Sequence, residues 1–141
     1  MNFTDAQKHI VQTTFEQVKD ADALAARFYA RLFETDPSTQ PLFRHDMKAQ
    51  GQKLIQTIAV VVIGLDDLPT ITPAIQNLGR RHASYGVTRE HWDSVGAALL
   101  WALGDAFGDA FTPEVHDAWA AAYGLIADTA IAAQFESQRP A

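Results

Sequence analysis

The chain has 141 residues, with 11 Lys and Arg against 17 Asp and Glu, a net charge of -6 and no cysteine. A length of that order suits one domain around one core, and the acidic balance speaks against a polyanion such as nucleic acid as the main partner, because phosphate contacts need clustered cations. Without a thiol there is no disulfide framework, no cysteine-bound zinc or iron–sulfur cluster and no thiolate nucleophile, so any metal must be held by nitrogen or oxygen.

Taken in chain order, almost every segment has a period near 3.6. The first, "FTDAQKHIVQTTFEQV", opens with Thr4 as a cap and Gln7 three places on, a capping-box pattern, and sets Ile10, Val11, Phe15 and Val18 on one side. "DALAARFYARLFE" follows with Leu24, Phe28, Leu32 and Phe33 apolar, and should end before the two prolines of "TDPSTQPLF". A third helix starts near Met47 or Lys48 and aligns Gln50, Leu54, Thr57, Ile58 and Val61. Its β-branched stretch "AVVVIG" continues that helical period, so no strand is expected. "LDDLPT" reads as a turn, with a helix from about Thr70 carrying Ile71, Ile75, Leu78 and His82 on one face. Gly86 favours a turn after it. Thr88 can cap "REHWDSVGAALLWALGDAF", and Thr112 with Pro113 can open the last helix, "PEVHDAWAAAYGLIADTAIAAQ". The short "GDAFT" connection suggests that these last two helices pair antiparallel.

The class is therefore all-α, a single domain over residues 1–136 with a loose tail at 137–141. The polar N-terminus lacks the order of a secretory signal, so a cytoplasmic location is expected. The longest uninterrupted apolar run, Ile58 to Leu65, is short of the roughly 18–20 residues of a spanning helix, so no membrane insertion is expected.

Three polar side chains fall on faces that should be buried: Gln50 heading the third helix, His82 closing the fourth, and Tyr29 beside Phe28. A buried imidazole needs a partner for each ring nitrogen, and a protein group, a water or a metal can serve. Spacing alone does not choose among them.

The segments "RFYARLF", "PLF", "QKL", "LGRRHASYGV", "VGAALLWAL", "AFTPEVHDAW" and "AAYGLIAD" together resemble the globins, in particular bacterial single-domain globins and flavohaemoglobin haem domains, with a likeness to neuroglobin in the C-terminal half. The resemblance spans nearly the whole chain and implies a globin fold of about seven to eight helices around a pocket for haem b. It matches His82 to the proximal histidine that binds iron, Phe43 to the phenylalanine that packs on the porphyrin, and Tyr29 and Gln50 to the distal positions facing the gas. Leu54 would be an apolar distal neighbour, Val87 would touch the macrocycle, and Lys53 would lie near the pocket edge, where an ammonium can meet a propionate.

A single imidazole ligand leaves the opposite coordination position open to dioxygen, carbon monoxide or nitric oxide. The Tyr29 hydroxyl and the Gln50 amide are donors suited to a polarised gas in an apolar pocket. The expected role is reversible dioxygen binding for storage, transport or sensing at a pentacoordinate iron. The alternative is nitric oxide dioxygenation, which in a chain of this length would need a separate reductase.

The chain departs from the family pattern in two places. Neuroglobin-like proteins usually have a histidine where Gln50 stands, and Gln is a poor iron ligand; His45, five residues earlier in the loop, reads by default as a surface residue and is a stand-in by position alone. Flavohaemoglobin domains usually support the proximal histidine with a tyrosine and a glutamate, and the matching places are Trp92 and Gln134. A neutral amide pushes less electron density toward iron than a carboxylate does, and the second imidazole N–H is expected on a neutral acceptor, the Leu78 carbonyl or the Gln134 amide oxygen. His9, His91 and His116 read as solvated.

Overall fold

In a computed structural model the described residues are 3–43, 46–84 and 86–136, so the expectations for His45 and for the tail at 137–141 lie outside them. Among the described residues six α-helices run in chain order: α1 (Asp5–Glu16), α2 (Ala21–Thr35), α3 (Met47–Gly64), α4 (Leu68–Ser84), α5 (Arg89–Phe107) and α6 (Pro113–Glu136). Short 3-10 turns at Pro37–Leu42, Leu65–Asp67 and Gly108–Ala110 join them, and no strand occurs among the described residues.

The helix starts follow local chemistry. Thr4 accepts from the Gln7 N–H while the Gln7 side chain accepts from the Thr4 N–H, completing the capping box that the sequence predicts. Asp20 and Asp46 cap α2 and α3, and the Thr112 hydroxyl accepts from the Val115 N–H at the start of α6. The second helix ends at Thr35, as expected, but two details differ. The prolines of "TDPSTQPLF" are wound into the 3-10 turn Pro37–Leu42, and α4 begins at Leu68 rather than Thr70. Pro69 belongs to the first turn of α4, where a missing N–H breaks no helical bond and a fixed φ suits the helix.

The main core gathers Val11 of α1, Leu24, Phe28 and Leu32 of α2, Val62 of α3, Leu99 and Leu103 of α5, and Trp119 of α6. A smaller core, formed by Ile75, Trp92, Ala127 and Ala130 with Ile71, Val87 and Tyr123 beside them, lies where α4, α5 and α6 meet. The last two helices do pack on each other, but α6 makes its most extensive contacts with α4 and then with α1. The Trp119 indole N–H donates to the Thr14 hydroxyl at 2.9 Å, which fixes α6 to α1.

The stripe on α3 holds for Gln50, Leu54, Ile58 and Val61, all partly buried, whereas Thr57 is exposed and its hydroxyl donates to the Lys53 carbonyl. The helical stretch Met47–Ala83 contains an 18-residue window of mean hydropathy 1.7, so by length and composition alone it could cross a membrane. The uninterrupted run Ile58 to Leu65, bounded by Thr57 on one side and by Asp66 and Asp67 on the other, understates this, because apolar residues resume beyond both ends. That stretch is interrupted by the turn at Leu65–Asp67.

Candidate functional site

His82 sits in the last turn of α4. Its Nδ1 is 2.7 Å from the Leu78 carbonyl oxygen. A carbonyl can only accept, so Nδ1 carries the hydrogen and, in the neutral ring, Nε2 carries the lone pair. Burial holds the imidazole below its ordinary pKa, and the Arg81 charge adds to this against the opposing effect of the Leu78 carbonyl. Neutral imidazole with a backbone-oriented tautomer is the form in which histidine ligates metals.

The position of His82 depends on how closely α4 approaches α6. A Cβ built on Gly79 would fall 2.0 Å from the Ala130 carbonyl oxygen, so only glycine lets the two backbones meet there, three residues before His82. The chain then turns at Gly86, whose φ of 86° lies where glycine is favoured. The Val87 N–H donates back to the His82 carbonyl at 3.2 Å.

Behind the imidazole stands Trp92, 7% exposed, with its ring centroid 5.3 Å from that of His82 and the planes 32° apart. Its indole N–H donates to the Gln134 Oε1 at 2.9 Å, and the Gln134 Nε2 donates to the Val87 carbonyl. Gln134 is fully buried. The Tyr123 hydroxyl donates to the Trp92 carbonyl. Of the two acceptors expected for the second imidazole N–H, the Leu78 carbonyl is thus the one found.

A second group forms between α2, the Pro37–Leu42 turn and α3. Tyr29 is buried among aromatic rings, with centroids 4.9 Å from Phe28, 5.9 Å from Phe33 and 5.1 Å from Phe43. Burial raises its phenol pKa to about 12, so it is a neutral hydroxyl at any ordinary pH. That hydroxyl donates to the Gln50 main-chain carbonyl at 3.4 Å, a long bond made to the backbone of Gln50 and not to its side chain. Leu54 is partly buried one turn on, and Lys53 is exposed beside it.

Tyr29, Phe43 and Gln50 are therefore brought together, as are His82, Trp92 and Val87. Two features were not anticipated. Tyr123 is one, although Tyr123, Ala127, Ala130 and Gln134 have the same four-three-four spacing that singles out His82. The other is His91, which is half-buried and not simply solvated: its Nδ1 accepts the Thr88 N–H in a capping box and its Nε2 lies 3.2 Å from the Ser38 hydroxyl. His9 and His116 are exposed, the latter beside Asp117.

Comparison with known proteins agrees with this architecture. The family model described as Globin matches residues 26–130. The flavohemoprotein of Bacillus subtilis is 35% identical over 113 residues, covering 78% of this chain and 28% of that protein. The flavohemoprotein of Bordetella parapertussis is 34% identical over 126 residues, covering 86% and 31%. This chain thus spans less than a third of the length of either relative. Among solved structures, a bacterial globin from Campylobacter jejuni superposes with a TM-score of 0.83 at 25% identity, covering 96% of this chain and 99% of that one. An engineered carbene transferase made from a putative nitric oxide dioxygenase of Rhodothermus marinus gives 0.88 at 23% identity, covering 97% and 96%. The chain belongs to the globin family.

Proposed function

We propose that this globin binds haem b with His82 as the iron ligand, and that it reversibly binds a diatomic gas, dioxygen first and carbon monoxide or nitric oxide also. The observation that carries this reading is the state of His82: a partly buried, neutral imidazole whose Nδ1–H is engaged by the Leu78 carbonyl, so that Nε2 carries the lone pair. No group of three or more metal-ligating side chains occurs among the described residues. One imidazole is a poor cage for a bare ion but is the usual single protein ligand of an iron already held by a macrocycle.

The neighbouring residues suit the same group. Phe43, Leu54 and Val87 are partly buried apolar side chains that would line a planar macrocycle, and the exposed Lys53 ammonium would meet its carboxylates. Trp92 supports the imidazole from behind and touches the site through it. Haem iron, when bound, supplies an open coordination position for a small gas. Tyr29 and Gln50 would then decide how long a polarised gas stays. The Tyr29 hydroxyl gives up little by leaving a 3.4 Å bond, and burial among rings strengthens any new one it makes. Titration of the chain with haem, followed by visible absorption with and without carbon monoxide, tests the reading.

A second reading, nitric oxide dioxygenation, is favoured by the relatives: the matched proteins are named flavohemoproteins, and one structural neighbour derives from a protein described as a putative nitric oxide dioxygenase. It would use the same residues and a source of electrons. Nitric oxide consumption in the presence of an electron-donating flavoprotein separates the two.

A further inference from the structure

The Gln134 amide is engaged at both ends by partners of opposite kind. The indole N–H of Trp92 can only donate and the carbonyl of Val87 can only accept, and the amide presents its oxygen to the first and its nitrogen to the second. A carboxylate would satisfy Trp92 but set a second anionic oxygen against the Val87 carbonyl, and an aliphatic side chain would leave both groups buried and unsatisfied. The neutral amide is thus the group these two partners require, and not a weakened carboxylate.

Both partners adjoin His82. Val87 has its N–H on the His82 carbonyl and its own carbonyl on Gln134, so the corner between α4 and α5 is closed on one side and held by α6 on the other. Trp92 is tied to α6 twice, by its indole through Gln134 and by its carbonyl through the Tyr123 hydroxyl. Its ring lies against the imidazole, 5.3 Å between centroids. The bond to Leu78 sets which way Nδ1 points; the indole limits how far the ring can turn about that direction.

We propose that Gln134 is a positioning residue for His82: by holding Trp92 and Val87 from α6, it fixes the rotation of the imidazole plane about the axis that would carry iron. This rests on the reading of His82 as the haem ligand. The polarity requirement also predicts that Gln134→Glu misplaces Trp92 and does not turn the site into one with a charged proximal partner.

The test uses the haem-loaded protein. In the ferric cyanide complex the pattern of haem methyl proton resonances reports the orientation of the imidazole plane, and in the ferrous protein the iron–histidine stretching band reports its bonding. At matched haem occupancy, Gln134→Leu and Gln134→Glu should each reorder the methyl resonances and move the stretching band. A substitution that only loosens packing would lower stability and leave both unchanged, and that result would overturn the proposal. A measurement on the unsubstituted chain guards against variants that fail to fold: the Trp92 indole N–H, assigned through Trp92→Phe, should exchange with solvent slowly, and rapid exchange would show that the amide does not hold it. A parent chain that takes up no haem would instead overturn the underlying reading, while the indole exchange would still report on the amide by itself.

Discussion

Gly79 and Ala130 meet backbone to backbone, so closely that a methyl group on Gly79 would sit 2.0 Å from the Ala130 carbonyl oxygen. This crossing of α4 on α6 places His82 one turn away. Gly79→Ala should destabilise the fold, because the obstacle is main chain and cannot rotate aside. Overpacking of this kind costs about 1–3 kcal/mol, against a gain in helix propensity of at most about 1 kcal/mol. Urea unfolding of parent and variant would show it as a lower midpoint; an equal or higher midpoint would mean that the two helices separate easily.

Asp36 links the Pro37–Leu42 turn to α5. Its carboxylate accepts from the Ser38 hydroxyl at 2.5 Å and from the Ser94 hydroxyl at 2.7 Å, and these bonds hold its pKa below the usual aspartate value. The unfolded chain then takes up the Asp36 proton near pH 4, the value of a free aspartate at about 3.9, before the folded chain does. The stabilisation is complete above that pH and is lost as pH falls through the folded value. Asp36→Asn should flatten the acid limb of a plot of unfolding midpoint against pH, and an unchanged limb would remove Asp36 from the account.

Tyr29 and Gln50 are the expected brakes on gas release. A hydrogen bond to a partly charged acceptor is worth about 1.5–3 kcal/mol, hence roughly tenfold to a hundredfold in dissociation rate. Tyr29→Phe and Gln50→Leu should each speed dioxygen release in stopped-flow experiments, with effects that need not add because Tyr29 already contacts the Gln50 backbone. Unaltered release from both variants would mean that neither donor faces the gas.

Tyr29 should also remain protonated well above the pH at which free tyrosine ionises, near 10, since burial raises it to about 12. The unfolded state loses this proton first, so the contribution of Tyr29 to stability is complete below about pH 10 and is lost as pH rises through the folded value. Tyr29→Phe should therefore reduce the alkaline fall in stability. Equal alkaline profiles for parent and variant would contradict the burial argument.

Much of this was legible in the sequence because helical period and capping are local. Thr4 with Gln7, Thr88, Thr112 with Pro113, and the inward face that ends at His82 all follow from residues within a few turns of one another. The acceptor of the His82 Nδ1–H was also within reach, since Leu78 lies four residues back on the same helix. What local pattern could not show, and only the family resemblance hinted at for Trp92 and Gln134, was long-range contact. Gln134 is 42 residues from Trp92 and 47 from Val87, Ser38 is 53 from His91, and nothing in either local sequence announces the other. The Tyr29 hydroxyl is similar: its inward direction follows from the helix, but its bond to a main-chain carbonyl depends on where α3 crosses α2.

The central claim is that His82 is the protein ligand of a haem iron, and one comparison tests it most directly: visible absorption of the haem-titrated parent and of His82→Ala, ferric, ferrous and with carbon monoxide. The parent should take up haem in equal proportion and form a carbon monoxide complex, and the variant should lose haem or bind it weakly until imidazole is supplied. A variant with the parent's haem content and spectrum in the absence of imidazole would contradict it.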